Sequence, residues 1–258
     1  MIMPEQDLIR LSQSHLNLLS ICPPKFQQVY LDCLNSLPAP NQQDNRQWGS
    51  RFHLLMQQRE LTLPIEALLA TDAELDNSLK ALIRAAPELE PDPNIWREAE
   101  HCRTLRLDNF LFTVIYDLLI AKTEQAIILD WKTYRNPPRW QKLANDWQTR
   151  LYLYVLAETS EYEPEQLQMT YWFVKSGTPQ SATFNYSQQQ HQQTARELIV
   201  LTANLETWLG NYQQLQTNFP HQPDCPKCPY HDLFSAEKAV NCHEELLKSI
   251  AEIEEVSI

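Results

Sequence analysis

Glycine is nearly missing: the 258 residues include only Gly49, Gly177 and Gly210. That scarcity excludes a glycine-rich phosphate loop and a dinucleotide fingerprint, which need several glycines where backbone meets phosphate. Long hydrophobic runs are missing too. The longest, from Phe110 to Ala121, is shorter than a bilayer crossing and carries Asp117, and Met1 to Arg10 has no signal-peptide apolar stretch. The chain therefore reads as a soluble cytoplasmic protein with no membrane partner. Its six cysteines are too few for a secreted disulfide scaffold, so they default to buried thiols or metal ligands, with Cys33 and Cys102 read as core residues. Positive charge is also short: 21 basic against 33 acidic side chains gives −12, a balance that repels polyanions at long range.

What is present suits a well-filled core. With 43% hydrophobic residues, a chain of this length buries roughly three quarters of its unfolded surface and needs no staple. The scarce positive charge is gathered: Lys132, Arg135, Arg139, Lys142 and Arg150 fall in a stretch with one acid, Asp146. From charge alone this is a solvated helix face.

The chain reads as one domain over residues 1–258, with a helical region (1–90), a sheet core (91–186) and C-terminal helices with a cysteine-bearing segment (187–258). Leu16, Leu19, Cys22 and Phe26 follow helical spacing, interrupted by Pro23 and Pro24. Asp44 is placed to cap a helix carrying Trp48, Phe52, Leu55 and Met56, and two more helical stretches begin near Pro64 and Asp72. Residues 96–107, 110–120 and 126–131 read as three strands. An amphipathic helix follows from Trp140 to about Ala157, then strands near 167–174 and 182–186 and a long helix from Gln188 to Leu215.

One strand ends Leu129-Asp130-Trp131-Lys132, and period two places the acid and the lysine on one face. Solvated charges at a strand end account for that pair taken alone. Asp117 adds weight: it interrupts a run that is apolar on both sides, where an unpaired carboxylate costs several kcal/mol, so it needs a partner. Hairpin pairing can bring it beside Asp130, and a divalent cation between them relieves the repulsion; hard oxygen ligands suit magnesium or manganese. On the next helix Gln148 and Tyr152 are four apart and share a face. Gly49 and His53 are four apart on an earlier helix, compatible with close packing and an inward imidazole.

In this order and spacing the four elements resemble the PD-(D/E)XK nuclease superfamily, in its RecB-like branch that includes CRISPR-associated exonucleases and helicase-nuclease subunits. The resemblance runs from Leu11-Ser12-Gln13-Ser14-His15-Leu16 and Cys22-Pro23-Pro24-Lys25-Phe26, through Glu100, to Asp117, Asp130-Trp131-Lys132 and Gln148-Thr149-Arg150-Leu151-Tyr152. It implies an α/β, restriction-endonuclease-like fold, a mixed central sheet flanked by helices. It also implies Asp117 and Asp130 as metal-binding acids, His53 as a further metal ligand, Lys132 as the catalytic lysine, and Gln148 with Tyr152 lining the site. Glu100 is a weaker carry-over, since Glu98 shares its strand face. Many members hold an iron–sulfur cluster on four cysteines. Here Cys22, Cys225 and Cys228 match three of them, Phe234 stands at the fourth position, and Cys242 is the remaining terminal cysteine. A rerouted cluster, a zinc site or a metal-free relic are the alternatives, beside plain packing of thiols.

The expected activity is a magnesium- or manganese-dependent deoxyribonuclease, exonuclease-like and working in DNA repair or recombination, with a helicase or repair-complex partner. Arg135, Arg139 and Arg150 would orient the strand, and Trp131, Tyr134 and Trp140 would stack unpaired bases, favouring single-stranded DNA. The alternatives are a catalytically weak nucleic-acid-binding subunit that keeps the nuclease fold, and a cysteine–metal interaction module.

Overall fold

A computed structural model describes residues 8–34, 40–134, 137–175 and 178–221, with side chains from 46 onward in the second stretch. The elements run β1 (Ile9–Leu11), α1 (Gln13–Ile21), α2 (Pro23–Phe26) continuing into a π-helical turn (Gln27–Leu31), α3 (Pro40–Glu60), α4 (Glu66–Ala70) and α5 (Ala73–Ala85). Then follow β2 (Trp96–Leu107), β3 (Phe110–Ala121), β4 (Ala126–Lys132), α6 (Trp140–Asn145), α7 (Trp147–Glu158), β5 (Leu167–Phe173), β6 (Gln180–Asn185) and α8 (Gln188–Leu215). The expected mixed α/β sheet flanked by helices is present. Among the described residues no helix is long and apolar enough to cross a membrane.

Four expectations need correction. The helix expected to begin at Asp44 begins at Pro40, whose fixed φ suits a first turn. The helix expected from Trp140 to Ala157 is two: Asp146 is extended, with φ −67° and ψ 139°, and its carboxylate caps α7 by accepting the Gln148 backbone N–H at 2.8 Å. Cys33 and Cys102 are exposed, not core. Cys102 takes the outward phase of β2, and Cys33 follows the π-helical turn with φ 56°. Strand β1 is an addition.

The chain packs as two units, one of residues 1–14 and 37–198, the other of residues 15–36 and 199–258. In the first, six strands among the described residues form one sheet. Strand β3 is its hub: along one edge it pairs antiparallel with β2, and on the other edge it pairs parallel with β1 at Phe110–Phe112 and antiparallel with β4 at Leu118–Ala121. Strands β4 and β5 are parallel and β6 closes the order antiparallel to β5. One core cluster sets Trp48, Phe52, Leu55 and Met56 of α3 and Leu75, Leu79 and Leu82 of α5 against Leu118, Ile120, Ile127, Leu129, Trp131 and Trp172 of the sheet. Helix α5 is fixed by Asp72, which accepts the Leu75 N–H at 3.0 Å and pairs with Arg51 at 2.9 Å. Helix α7 packs on β2, β3 and β5.

In the second unit Leu16, Leu19, Cys22 and Phe26 are buried, and Phe26 stacks on Phe219 at 6.1 Å. Gln27, 3% exposed, accepts the Phe219 N–H at 2.8 Å and donates to Asn218 at 2.9 Å, while Tyr212 donates to Asp32 at 2.6 Å.

Candidate active site

The site grows from the shared edge of β3. Between the stretches claimed by β1 and β4, no strand among the described residues pairs with residues 113–117 on that edge. Tyr152 of α7 fills part of the gap, its phenol taking the backbone N–H of Ile115. At the next step along, the β2–β3 register puts Glu100 opposite Asp117 and the β3–β4 register puts Asp130 opposite it, yet neither rung is bridged. Asp117 instead spends its side chain: Oδ2 accepts the Trp131 backbone N–H at 2.7 Å. Glu100 has φ 53°, the left-handed region, which costs a side-chain-bearing residue roughly 1–2 kcal/mol and marks backbone held in place by its surroundings. Three carboxylates thus share one level of three adjacent strands.

Helix α3 brings the imidazole. Gly49 lets the helix close on the end of β4, since a Cβ there would lie 2.9 Å from Thr133 Oγ1. One turn on, His53 Nε2 donates to the Trp131 carbonyl at 3.1 Å, which fixes the tautomer and turns Nδ1 toward Asp117 Oδ1 at 3.2 Å. Burial opposes protonation of His53, but the Asp117 hydrogen bond and charge, joined by Asp130 and Glu100, raise its pKa on balance. Glu100 is raised by burial and by Asp117, less what His53 gives back.

Asp130 is the most enclosed of the acids, 3% exposed. Lys132 Nζ lies 2.6 Å from its Oδ1, and Gln148 Nε2 donates to its Oδ2 at 2.5 Å. Gln148 Oε1 accepts from Lys132 at 2.7 Å; a lysine can only donate, so the amide orientation is settled. Burial first and the Asp117 charge second push the Asp130 pKa up to about 6, with Lys132 and His53 pulling it down. Lys132, which burial would neutralise, is held charged by Asp130. Tyr171 lies beneath the ammonium, 5.2 Å to the ring centre.

A metal fits this donor set. One nitrogen of His53 and one oxygen each of Glu100 and Asp117 lie within 4.8 Å of one another, the one such group found among the described residues. Hard carboxylates with an imidazole suit manganese or magnesium, and the excess of acids over Lys132 and His53 is the charge a divalent cation neutralises. Asp130 is not in the gathered trio; its oxygens lie against Lys132 and Gln148.

The structure thus brings together Asp117, Asp130, Lys132, Gln148, Tyr152 and His53, and it chooses Glu100 over Glu98, which is exposed and pairs with His101 at 2.8 Å. It leaves out others. Arg150 projects away, paired with Glu197 at 2.7 Å and stacked on Trp147 at 4.3 Å. Arg139 is exposed at the start of α6. Trp131, expected to stack bases, is 2% exposed in the core and cannot; Tyr134 and Trp140 are exposed. Cys22 is buried. Arg135, Cys225, Cys228 and Cys242 lie outside the described residues.

A mixed sheet that opens to gather acids, a lysine and an amide defines a class, and comparison with known proteins gives it a family. The chain belongs to the PD-(D/E)XK nuclease superfamily, whose family model matches residues 10–233. Among solved structures it is similar to a Eubacterium rectale protein whose exonuclease name is provisional, at 10% identity and TM-score 0.53, covering 90% of this chain and 93% of that one. A second, named SSO0001, is 13% identical with TM-score 0.35, covering 80% of this chain and 83% of that one. No curated protein matches.

Proposed function

We propose that this chain is a divalent-metal-dependent nuclease that hydrolyses phosphodiester bonds in DNA, working from ends in repair or recombination. The observation that carries the reading is the interrupted rung at which Glu100, Asp117 and Asp130 meet His53 and Lys132. His53, Glu100 and Asp117 would hold magnesium or manganese, with Asp130 joining when Gln148 yields it. A divalent ion held there would supply polarisation of the scissile phosphate and a more acidic water. Lys132 supplies a fixed positive charge beside the phosphate and a hydrogen bond for the attacking oxygen. Gln148, tied to both Lys132 and Asp130, holds these two in mutual register, and Tyr152 braces Gln148 from the next turn of α7. Both act as positioning residues. Arg135 and Arg139 would meet the phosphate backbone.

Purified protein with labelled single- and double-stranded DNA, in magnesium, manganese or chelator, tests the reading. Metal-dependent cleavage that disappears in Asp117→Asn and Lys132→Ala supports it. Metal-independent binding with no cleavage overturns it in favour of a nucleic-acid-binding subunit that keeps the fold.

A further inference from the structure

A cavity of about 480 Å³ is walled by α6, α7, β6 and the start of α8. That volume is within the range of small-ligand sites. Its rim is aromatic: Trp140, 55% exposed, stacks on Phe184 at 4.9 Å with an interplanar angle of 27°. The polar lining is mostly amide and hydroxyl, from Asn145, Asn185, Gln190, Gln193 and Thr194. Arg150, the one cation among the described lining residues, is already neutralised by Glu197 at 2.7 Å, and Gln193 donates to the same carboxylate at 2.9 Å.

We propose that this cavity receives one unstacked nucleobase. A flat ring platform with one free face binds a flat heteroaromatic ring, and every base offers such a face. Amides carry donor and acceptor side by side and match the edge of a base. A phosphate would instead need unpaired positive charge, and none is present among the described residues that line the cavity. Thr149 joins it to the catalytic region: this residue lines the cavity, and its hydroxyl lies 2.7 Å from the Tyr171 hydroxyl, whose ring sits under Lys132. Thr149 and Tyr171 thus link the cavity wall to Lys132. The base comes either from the strand being cut or from a free nucleotide; as part of the strand, the inference rests on the nuclease reading above.

Binding is measured on the full chain in chelator by fluorescence anisotropy, with single-stranded oligonucleotides that are intact or carry abasic positions, and by saturation-transfer NMR with nucleoside monophosphates. Expected are a roughly tenfold or greater loss of affinity in Trp140→Ala, retention in Trp140→Phe, and a loss in Gln193→Ala, whose position on an exposed helix face spares the fold. Weaker binding of the abasic strand to wild type assigns the base to the strand. Equal binding of both strands, with saturation transfer from monophosphates lost in Trp140→Ala, assigns it to a free nucleotide. If Trp140→Ala and Gln193→Ala, each folded by thermal melting, bind every probe as the wild type does, the inference is wrong. In that event cleavage separates the two readings: a wild type that still cuts in magnesium or manganese leaves the nuclease standing, and one that does not loses both.

Discussion

Replacing Lys132 by methionine removes an ammonium 2.6 Å from one oxygen of Asp130 and strands a carboxylate that is 3% exposed. Gln148 still bonds the other oxygen, but no cation remains in contact. Deleting one partner of a buried pair costs about 3–5 kcal/mol while the survivor stays charged. Asp130 has a way out, because burial and the Asp117 charge already push its pKa up to about 6 from the ordinary 3.8, and without Lys132 it climbs further. A carboxyl whose folded pKa exceeds its unfolded one binds more protons folded, so its contribution to stability falls as pH rises through that window. In the wild type the fall spans pH 3.8 to about 6; in the variant, without the lowering by Lys132, it continues to higher pH. Urea unfolding at pH 5 and pH 8 is the assay. The expected loss is about 3 kcal/mol at pH 8 and under about 1 kcal/mol at pH 5, where protonation relieves the stranded charge. A second change, Asp130→Asn, should recover most of the loss at pH 8. Equal losses at both pH values, or a double variant no better than the single one, would refute the pairing argument.

Gly49→Ala puts a methyl 2.9 Å from Thr133 Oγ1 and should cost about 1–3 kcal/mol by thermal melting while lowering cleavage, because Thr133 follows Lys132. Gly210→Ala in α8 meets nothing within 4 Å and should stabilise by about 0.5–1 kcal/mol. His53 and Asp130 both have raised pKa values, so both hold protons more firmly in the metal-free fold, and a cation must displace them. Calorimetry in buffers of different ionisation enthalpy should therefore show proton release on Mn²⁺ binding, with affinity climbing from pH 5.5 to pH 8; affinity flat over that range would contradict it.

Much of this was legible in the sequence because the core elements carry strong periodic patterns. Strands β2 to β4 and helix α8 lie close to where alternation and helical spacing place them. Strand β1 is three residues long, too short for any period to register. Asp146 looked like one more polar residue in an amphipathic run, although an acid two residues before Gln148 is also a helix cap. For Glu100 the signal was present and unused: a two-residue turn at Asp108 and Asn109 pairs Leu107 with Phe110, and counting back from it sets Glu100, not Glu98, opposite Asp117. The same alternation that puts Asp130 and Lys132 together turns Trp131 into the core. Arg150, two residues from Gln148 on a helix, points away from it for the corresponding reason. The strain at Glu100 and the tautomer set by the Trp131 carbonyl had no sequence signal, since both depend on tertiary placement.

The interrupted rung of β3 is the proposed binding place of a divalent cation. Crystals soaked in Mn²⁺ and measured at a wavelength where manganese scatters anomalously test it directly. A peak is expected within ligand distance of Asp117 and His53 Nδ1, and it should vanish in Asp117→Asn. No peak there at saturating Mn²⁺, or one held by other residues alone, would contradict it.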